Sequence, residues 1–166
     1  MARKPADSPV TVSVFDRLID QEPKIRAEAP PTRLQSMREL KTALRRDLEW
    51  LLNTRQPLDP PPQGASELPR SLYNYGLPDI TSMGLSTTAD RTKLARIMET
   101  VLANFEPRLA NAKVKFVQSG EGKTHMLRFV IEGLLRVDPA PEYVTFDTVL
   151  ELVTGAYDVK GDAGAR

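Results

Sequence analysis

The residues that stand out in this sequence as candidates for chemistry or binding are Glu106, Pro107 and Arg108, which lie in the segment NFEPRL. Proline disfavours the helical conformation in the residue before it, so we expect a rigid corner at Glu106. Arginine presents a planar fork of donors and glutamate presents two acceptors, which suits contacts with another protein. The spacing is equally compatible with an internal Glu–Arg bridge that only stabilises the turn, and it does not decide between the two.

The other residues that could take part in catalysis or metal binding lack the partner residues that such chemistry needs. His125 is the single histidine and lies beside a turn, where we interpret it as an ordinary polar residue. GEGK, at 120–123, lacks the spacing of a phosphate-binding loop and lies between two predicted strands, so a hairpin turn is expected. A glycosidase would need a second acid beside Glu106, and Asp79 and Asp90 are only formal candidates. The sequence predicts no catalytic site, no metal site and no cofactor.

Composition argues against several classes of partner. The 166 residues include 23 basic and 22 acidic side chains, a formal charge of +1, and no cysteine. This balance gives no support for binding to nucleic acid or to an anionic membrane. No apolar run approaches the roughly 20 residues that span a bilayer, and the first residues lack the apolar region of a signal peptide. We therefore expect a cytoplasmic protein with no membrane insertion and no small-molecule substrate.

Two long amphipathic helices are predicted, at 36–54 and 87–105, because apolar residues recur every three or four positions. Ser36 and Glu39 have the spacing of a capping box at the start of the first helix, and Asn53 is expected to end it in a left-handed conformation. The apolar stripes are Met37, Leu40, Leu44, Leu48, Leu51 and Leu52 in the first helix, and Leu94, Ile97, Met98, Val101, Leu102 and Phe105 in the second.

Polar residues near the end of the first helix are interpreted as solvated positions. They are Arg46, Asp47 and the segment 53–55. A proline-rich loop follows at 56–70, and SLYNYGLPDITSM then predicts a short helix closed by Gly76.

The first 35 residues form an N-terminal arm that is rich in proline. Within it, Val14, Phe15, Leu18 and Ile19 share one side of a predicted short helix. This helix either packs on its own domain or docks on a partner through Phe15 and Leu18.

From Lys113 onward the apolar period changes to two, which predicts three antiparallel strands. The residues expected to face the core are Val114, Phe116, Leu127, Phe129, Ile131, Phe146, Thr148, Leu150 and Leu152. Strands that follow helices predict an α+β fold, with several helices packed on one face of a small sheet of about three strands. The expected organisation is an arm at 1–35, a domain at 36–155 and a flexible tail at 156–166.

Several segments together resemble the gene-25 (GPW) baseplate wedge family, and in particular its TssE branch from bacterial type VI secretion systems. The segments are SVFDRL, RRDLEWLLNTR, SLYNYGLPDITS, NFEPRL, LRFVIEG and VTFDTVLEL. The resemblance covers about residues 13–155, apart from the proline-rich insert. It implies a cytoplasmic structural subunit within a membrane-docked baseplate, beside TssF and TssG, that links the wedge to the contractile TssB–TssC sheath and lies near TssK and other baseplate components.

The family's Glu-Pro-Arg pattern is matched by Glu106, Pro107 and Arg108, which the resemblance implies to be docking residues for the wedge core. The family's small sheet resembles part of the sheath subunits, which implies that it offers an edge to a sheath strand. The alternative function is a lysozyme-like peptidoglycan hydrolase, since relatives have carried that label. Cell-wall degradation that disappears in Glu106→Gln would distinguish the hydrolase from the structural subunit.

Overall fold

The computed structural model describes residues 8–19, 24, 30–59, 62, 64, 66–80, 83, 85, 87–117 and 125–162. Within these residues, three α-helices and four strands confirm the predicted α+β fold, with one strand more than expected. The elements are α1 (Val14–Leu18), α2 (Arg33–Asn53), two 3₁₀ turns (Leu68–Arg70 and Leu72–Asn74), α3 (Thr88–Phe105), β1 (Leu109–Val117), β2 (Met126–Leu135), β3 (Glu142–Glu151) and β4 (Tyr157–Asp162).

The four strands form one antiparallel sheet in the order β1-β2-β3-β4, so β1 and β4 are its edges. Alternation along the strands turns one face toward the helices, as the sequence predicts. The inward side chains are Val114, Leu127, Phe129, Ile131, Leu135, Val144, Phe146, Leu150, Tyr157 and Val159, all buried with the leucines of α2 and α3 in one core. The predicted packing of helices on one face is confirmed.

The fourth strand corrects the predicted flexible tail at 156–166. Tyr157 is 3% exposed and Val159 is fully buried, so the prediction is wrong for the residues of β4, while 163–166 lie outside the described residues. Their alternation with Asp158 and Lys160 is a strand pattern too short to stand out in a polar terminus. Leu152 was also expected in the core, but it is 41% exposed because the chain turns after β3 ends.

Helix α2 begins three residues before the predicted start. Thr32 and Gln35 form the capping box, in which Gln35 N donates to Thr32 Oγ1 over 3.3 Å and Thr32 N donates to Gln35 Oε1 over 2.8 Å. Ser36 is buried inside the helix, where its hydroxyl donates to the Arg33 carbonyl. The predicted boundary between arm and domain at 35/36 therefore falls within a helix. The capping pattern occurs twice in this segment, and the first occurrence forms the cap.

Helix α3 begins and ends as predicted. The Thr87 hydroxyl accepts from Asp90 N at its start, and its buried stripe is Leu94, Ala95, Met98, Val101 and Leu102, with Ile97 and Phe105 partly buried. The helix packs against β1, and α2 packs against β4.

A glycine turn fastens the segment YNYGLPD to the end of α2. Gly76 has a φ of 106°, and the Leu77 amide donates to the Thr54 carbonyl over 2.8 Å. The Gln56 side chain donates to the carbonyls of Asn74 and Gly76. The predicted closure at Gly76 is thus present, and it completes the fully buried packing of Leu77.

We expect Gly76→Ala to lower the free energy of unfolding by about 3 kcal/mol, because the new Cβ combines left-handed strain with a clash. An ideal Cβ at this position lies 2.4 Å from the Thr54 carbonyl oxygen, which is backbone and cannot rotate away. Gly64→Ala is the matched control, since its φ is 90° but nothing lies within 4 Å of its Cβ. Its expected cost is about 1 kcal/mol. Equal losses for the two variants in urea unfolding would contradict this account.

Candidate functional site

The Glu-Pro-Arg corner joins α3 directly to β1. Glu106 ends α3 with its amide bonded to the Leu102 carbonyl, and the residue is buried at 4% exposure. Pro107 is exposed, and the Leu109 amide returns to the Glu106 carbonyl over 3.1 Å. The corner therefore sets the direction in which the first strand leaves the last helix.

The two charged side chains of the corner bind each other. Arg108 donates from Nε to Glu106 Oε1 over 2.6 Å and from Nη2 to Glu106 Oε2 over 2.5 Å, a bidentate pair. The Arg108 backbone amide also donates to Oε1 over 3.3 Å. The internal bridge, one of the two alternatives, is thus present. The use of this corner in docking stays a prediction.

The pairing continues from Arg108 to α2 and, through α2, to α1. Its Nη2 lies 2.7 Å from Asp47 Oδ2 on α2, and Asp47 Oδ1 accepts from Arg46 Nη2 over 2.8 Å. Arg46 Nη1 in turn lies 2.7 Å from Asp16 Oδ1 on α1. We call these five residues, from Glu106 to Asp16, the ion-pair chain. It ties the arm, α2 and the corner together.

Pairing shifts the pKa values of Arg108 and Asp16, two members of the ion-pair chain. The hydrogen bonds from Arg108 to Glu106 outweigh burial and, with the bond to Asp47, raise the pKa of Arg108. Burial alone would raise the pKa of Asp16, but bonds from the Ser13 hydroxyl and Arg46 outweigh it and lower that pKa. The charged forms of both residues are therefore favoured in the folded protein.

An exposed apolar surface lies beside the ion-pair chain. The Arg46 guanidinium lies 5.1 Å from the ring centroid of Phe15 and 5.0 Å from that of Trp50, and the two rings are 6.4 Å apart. We call this the arm surface; its members are Val14, Phe15, Leu18, Ile19 and Trp50, which are 46–78% exposed. Phe15, one of the two predicted docking residues, contacts Arg46 and Trp50 of its own domain, whereas Leu18 is 78% exposed.

Sequence reasoning missed most of the ion-pair chain. Arg46 and Asp47 were expected to be solvated, which is wrong because both are paired. Asp16 and Trp50 were not singled out. A usable signal was the i, i+4 spacing of Arg46 and Trp50, which places them on the same side of one helix.

The segment 53–55 was also expected to be solvated, and it is instead bonded to β4 and its preceding turn. Asn53 does not adopt the predicted left-handed stop, since Thr54 caps the helix in an extended conformation. The Asn53 amide group pairs with the amide and the carbonyl of Tyr157. Arg55 donates to the Gly155 carbonyl over 2.8 Å and lies 5.9 Å from the centroid of the Tyr157 ring.

The remaining candidates for chemistry do not assemble into a site. Asp90 lies in the first turn of α3, where its carboxylate accepts from the hydroxyl of the capping residue Thr87 over 2.6 Å. The His125 carbonyl accepts from the Leu152 amide in the turn before β2. The segment 120–123 lies outside the described residues. Across the described ranges, no group of three or more histidine, aspartate or glutamate side chains is placed to hold a metal ion.

Comparison with known protein families identifies the class. The family model described as baseplate wedge protein gp25 matches residues 38–140, which is more than half of the chain. The chain therefore belongs to the gp25 baseplate wedge family, as the resemblance implied. The search of curated proteins found no match, and neither did the search of solved structures. None of the helices in the described part of the chain is long and apolar enough to cross a membrane.

We expect Asp16→Asn to detach α1 from α2 without unfolding the core, because it removes one end of the ion-pair chain. Trp50 is the only tryptophan, so acrylamide quenching of its fluorescence reports this contact directly. Quenching should increase in Asp16→Asn and stay unchanged in the control Asp158→Asn, whose carboxylate is 3.9 Å from Lys160 and 63% exposed.

The same contact should depend on pH. A lowered pKa means that docked Asp16 binds a proton less readily than Asp16 in a released arm. Docking is therefore fully stabilised above the ordinary aspartate pKa of 3.8 and weakens as the pH falls below it. Wild-type quenching should rise over that range, with a smaller rise in Asp16→Asn. Identical quenching of both proteins at every pH would contradict the assignment.

Proposed function

We propose that this protein is a structural wedge subunit of TssE type in the baseplate of a bacterial type VI secretion system. It works in the cytoplasm, docks on a TssF–TssG wedge core near TssK, and connects the baseplate to the TssB–TssC sheath. Membership of the baseplate wedge family supports the class of protein. The segments RRDLEWLLNTR, YNYGLPD and FEPRL support the finer assignment.

The observation that carries the proposal is the adjacency of the corner and the arm surface. The side chains of Glu106 and Arg108 bond mainly to other residues of the same chain. Their main role is therefore to fix the shape of this region. Exposed Pro107 and the arm surface remain available to a partner. Exposed apolar residues beside a rigid, internally paired centre can form an interface core with anchored side chains.

The connection to the sheath is proposed to use an edge of the sheet. An edge strand exposes backbone amides and carbonyls with which another chain can pair. Several hydrogen bonds then share the load along one strand, which suits a junction that must withstand contraction.

The hydrolase alternative receives no support from the corner. A glycosidase acid must reach a glycosidic oxygen, and a second carboxyl must lie a defined distance away. The Glu106 side chain is buried, and both its oxygens accept from Arg108. We therefore propose a structural role for this protein and not a hydrolytic one.

We expect Leu18→Ser to weaken capture of a co-expressed TssF–TssG complex by about tenfold while leaving the free energy of unfolding within about 0.5 kcal/mol of wild type. Leu18 is 78% exposed, so the fold does not depend on it. Leu34→Ser is the matched control, because Leu34 is 76% exposed but lies outside the arm surface. Equal capture of both variants would exclude the arm surface as the docking site. Failure of the wild-type protein to bind the complex would contradict the proposed function itself.

A further inference from the structure

A narrow cleft lies where the N-terminal arm meets the connection between β2 and β3. It has a volume of about 150 Å³ and is lined by residues 8–11 of the arm, by Arg33 at the start of α2, and by residues 136–139. The Arg136 amide donates to the Arg108 carbonyl over 2.8 Å, so one backbone hydrogen bond connects the cleft to the Glu-Pro-Arg corner. The cleft therefore adjoins the region that we propose for docking.

The charges of this cleft come from Arg33, Arg136 and Asp138. Arg33 Nη1 donates to the Ser8 carbonyl over 3.2 Å, which leaves most of the donors of this guanidinium for another acceptor. Within the described part of the chain, neither arginine lies within ion-pair distance of a carboxylate. Two positive charges and one negative charge leave a net charge of +1 in the cleft, so a single monoanion would neutralise it.

A basic groove between α2 and β4 differs from this cleft because its charges are paired. Lys41, Arg45 and Lys160 line that groove. Lys41 binds Glu142 over 2.6 Å, and Arg45 binds Glu49 over 3.3 Å. An anion that entered the groove would compete with carboxylates that are already bound, whereas the cleft beside the arm can accept an anion without the loss of an ion pair.

The walls of the cleft favour a carboxylate on a short apolar stem. Pro9, Val10, Val137 and Pro139 line it, and methylene groups can pack against these side chains. The planar donor fork of arginine matches the two oxygens of a carboxylate. A phosphate group carries about two negative charges at neutral pH, which is more than the cleft can neutralise. A glutamate side chain therefore fits the cleft in volume, polarity and charge.

We propose that the cleft receives a glutamate side chain of the wedge-core complex, and that Arg33 and Arg136 hold its carboxylate. The proposal rests on the proposed function and adds a polar anchor to the apolar arm surface. Because residues 8–11 form one wall of the cleft, the bound glutamate also fastens the arm to the domain. The two arginines thus give the docking site its specificity for an acidic segment of the partner.

Capture of a co-expressed TssF–TssG complex tests the cleft. Arg136→Glu should weaken capture by about tenfold, the factor that corresponds to one hydrogen bond to a charged group. Asp138→Asn should strengthen capture by about threefold, because it removes a negative charge that repels the incoming carboxylate. Arg136 and Asp138 are exposed, so the urea midpoint of both variants should equal that of wild type. Arg38→Glu is the matched control, an equal charge change at an exposed position of α2 outside the cleft, and should stay within about twofold of wild type.

The Val10 amide reports on the cleft itself. It donates to Ser36 Oγ over 2.9 Å and lies in the wall that the glutamate is proposed to fasten. Its hydrogen exchange should slow when the wild-type protein binds the TssF–TssG complex. Unchanged exchange at Val10 in the bound complex would mean that the partner docks elsewhere and would overturn the proposal.

The remaining outcomes distinguish this inference from the function on which it rests. Equal capture of wild type, Arg136→Glu and Asp138→Asn would overturn the cleft and leave the proposed function standing. Inorganic phosphate should raise the melting temperature of wild type and Arg136→Glu equally, because its stabilising effect is general. A rise confined to wild type would make the cleft a phosphate site and overturn the assignment to a glutamate. No capture of the complex by wild type would contradict the proposed function itself.

Discussion

The rest of the structure depends on one constraint, which is that a buried glutamate at the end of α3 must have a cationic partner. Removing a carboxylate from water costs several kcal/mol unless its charge is paired and its oxygens are bonded. Arg108 meets this requirement from two residues away with a bidentate contact. Pro107 between them keeps the corner compact, so the pair also determines how β1 leaves α3.

The same arginine makes the constraint extend beyond the corner. Because its guanidinium also binds Asp47, the end of α3 is tied to the middle of α2. Asp47 orients Arg46, which holds the arm through Asp16 and lies near the rings of Phe15 and Trp50. A set of charges that is paired within the molecule thus positions an apolar surface that remains exposed.

Much of the fold could be predicted from the sequence, because the apolar residues recur with the periods of helices and strands. The stripes of α2 and α3 and the alternation in β1, β2 and β3 each repeat over many residues, so errors at single positions average out. Strand β4 could not be predicted in the same way, since only Tyr157 and Val159 carry its inward pattern. Its stability comes from β3 and from Asn53, more than a hundred positions earlier in the chain.

The site was predictable in part, for a related reason. Glu106, Pro107 and Arg108 stood out because proline next to paired charges is locally unusual. The partners that complete the site, Asp47 and Asp16, are ordinary helical acids in sequence. Only the folded chain brings Asp47 to Arg108, across 61 positions. Whether a charged pair is internal or faces a partner is a property of tertiary contacts, and neighbouring residues do not encode it.

A double-mutant cycle between Glu106→Gln and Arg108→Ala, measured by urea unfolding, tests the central claim most directly. If the main role of Arg108 is to neutralise the buried Glu106 carboxylate, Arg108→Ala alone should lower the free energy of unfolding by about 3–5 kcal/mol. In the Glu106→Gln background it should cost far less, which gives a coupling energy of at least about 2 kcal/mol. Additive effects within about 0.5 kcal/mol would show that the two residues act independently and would contradict the account.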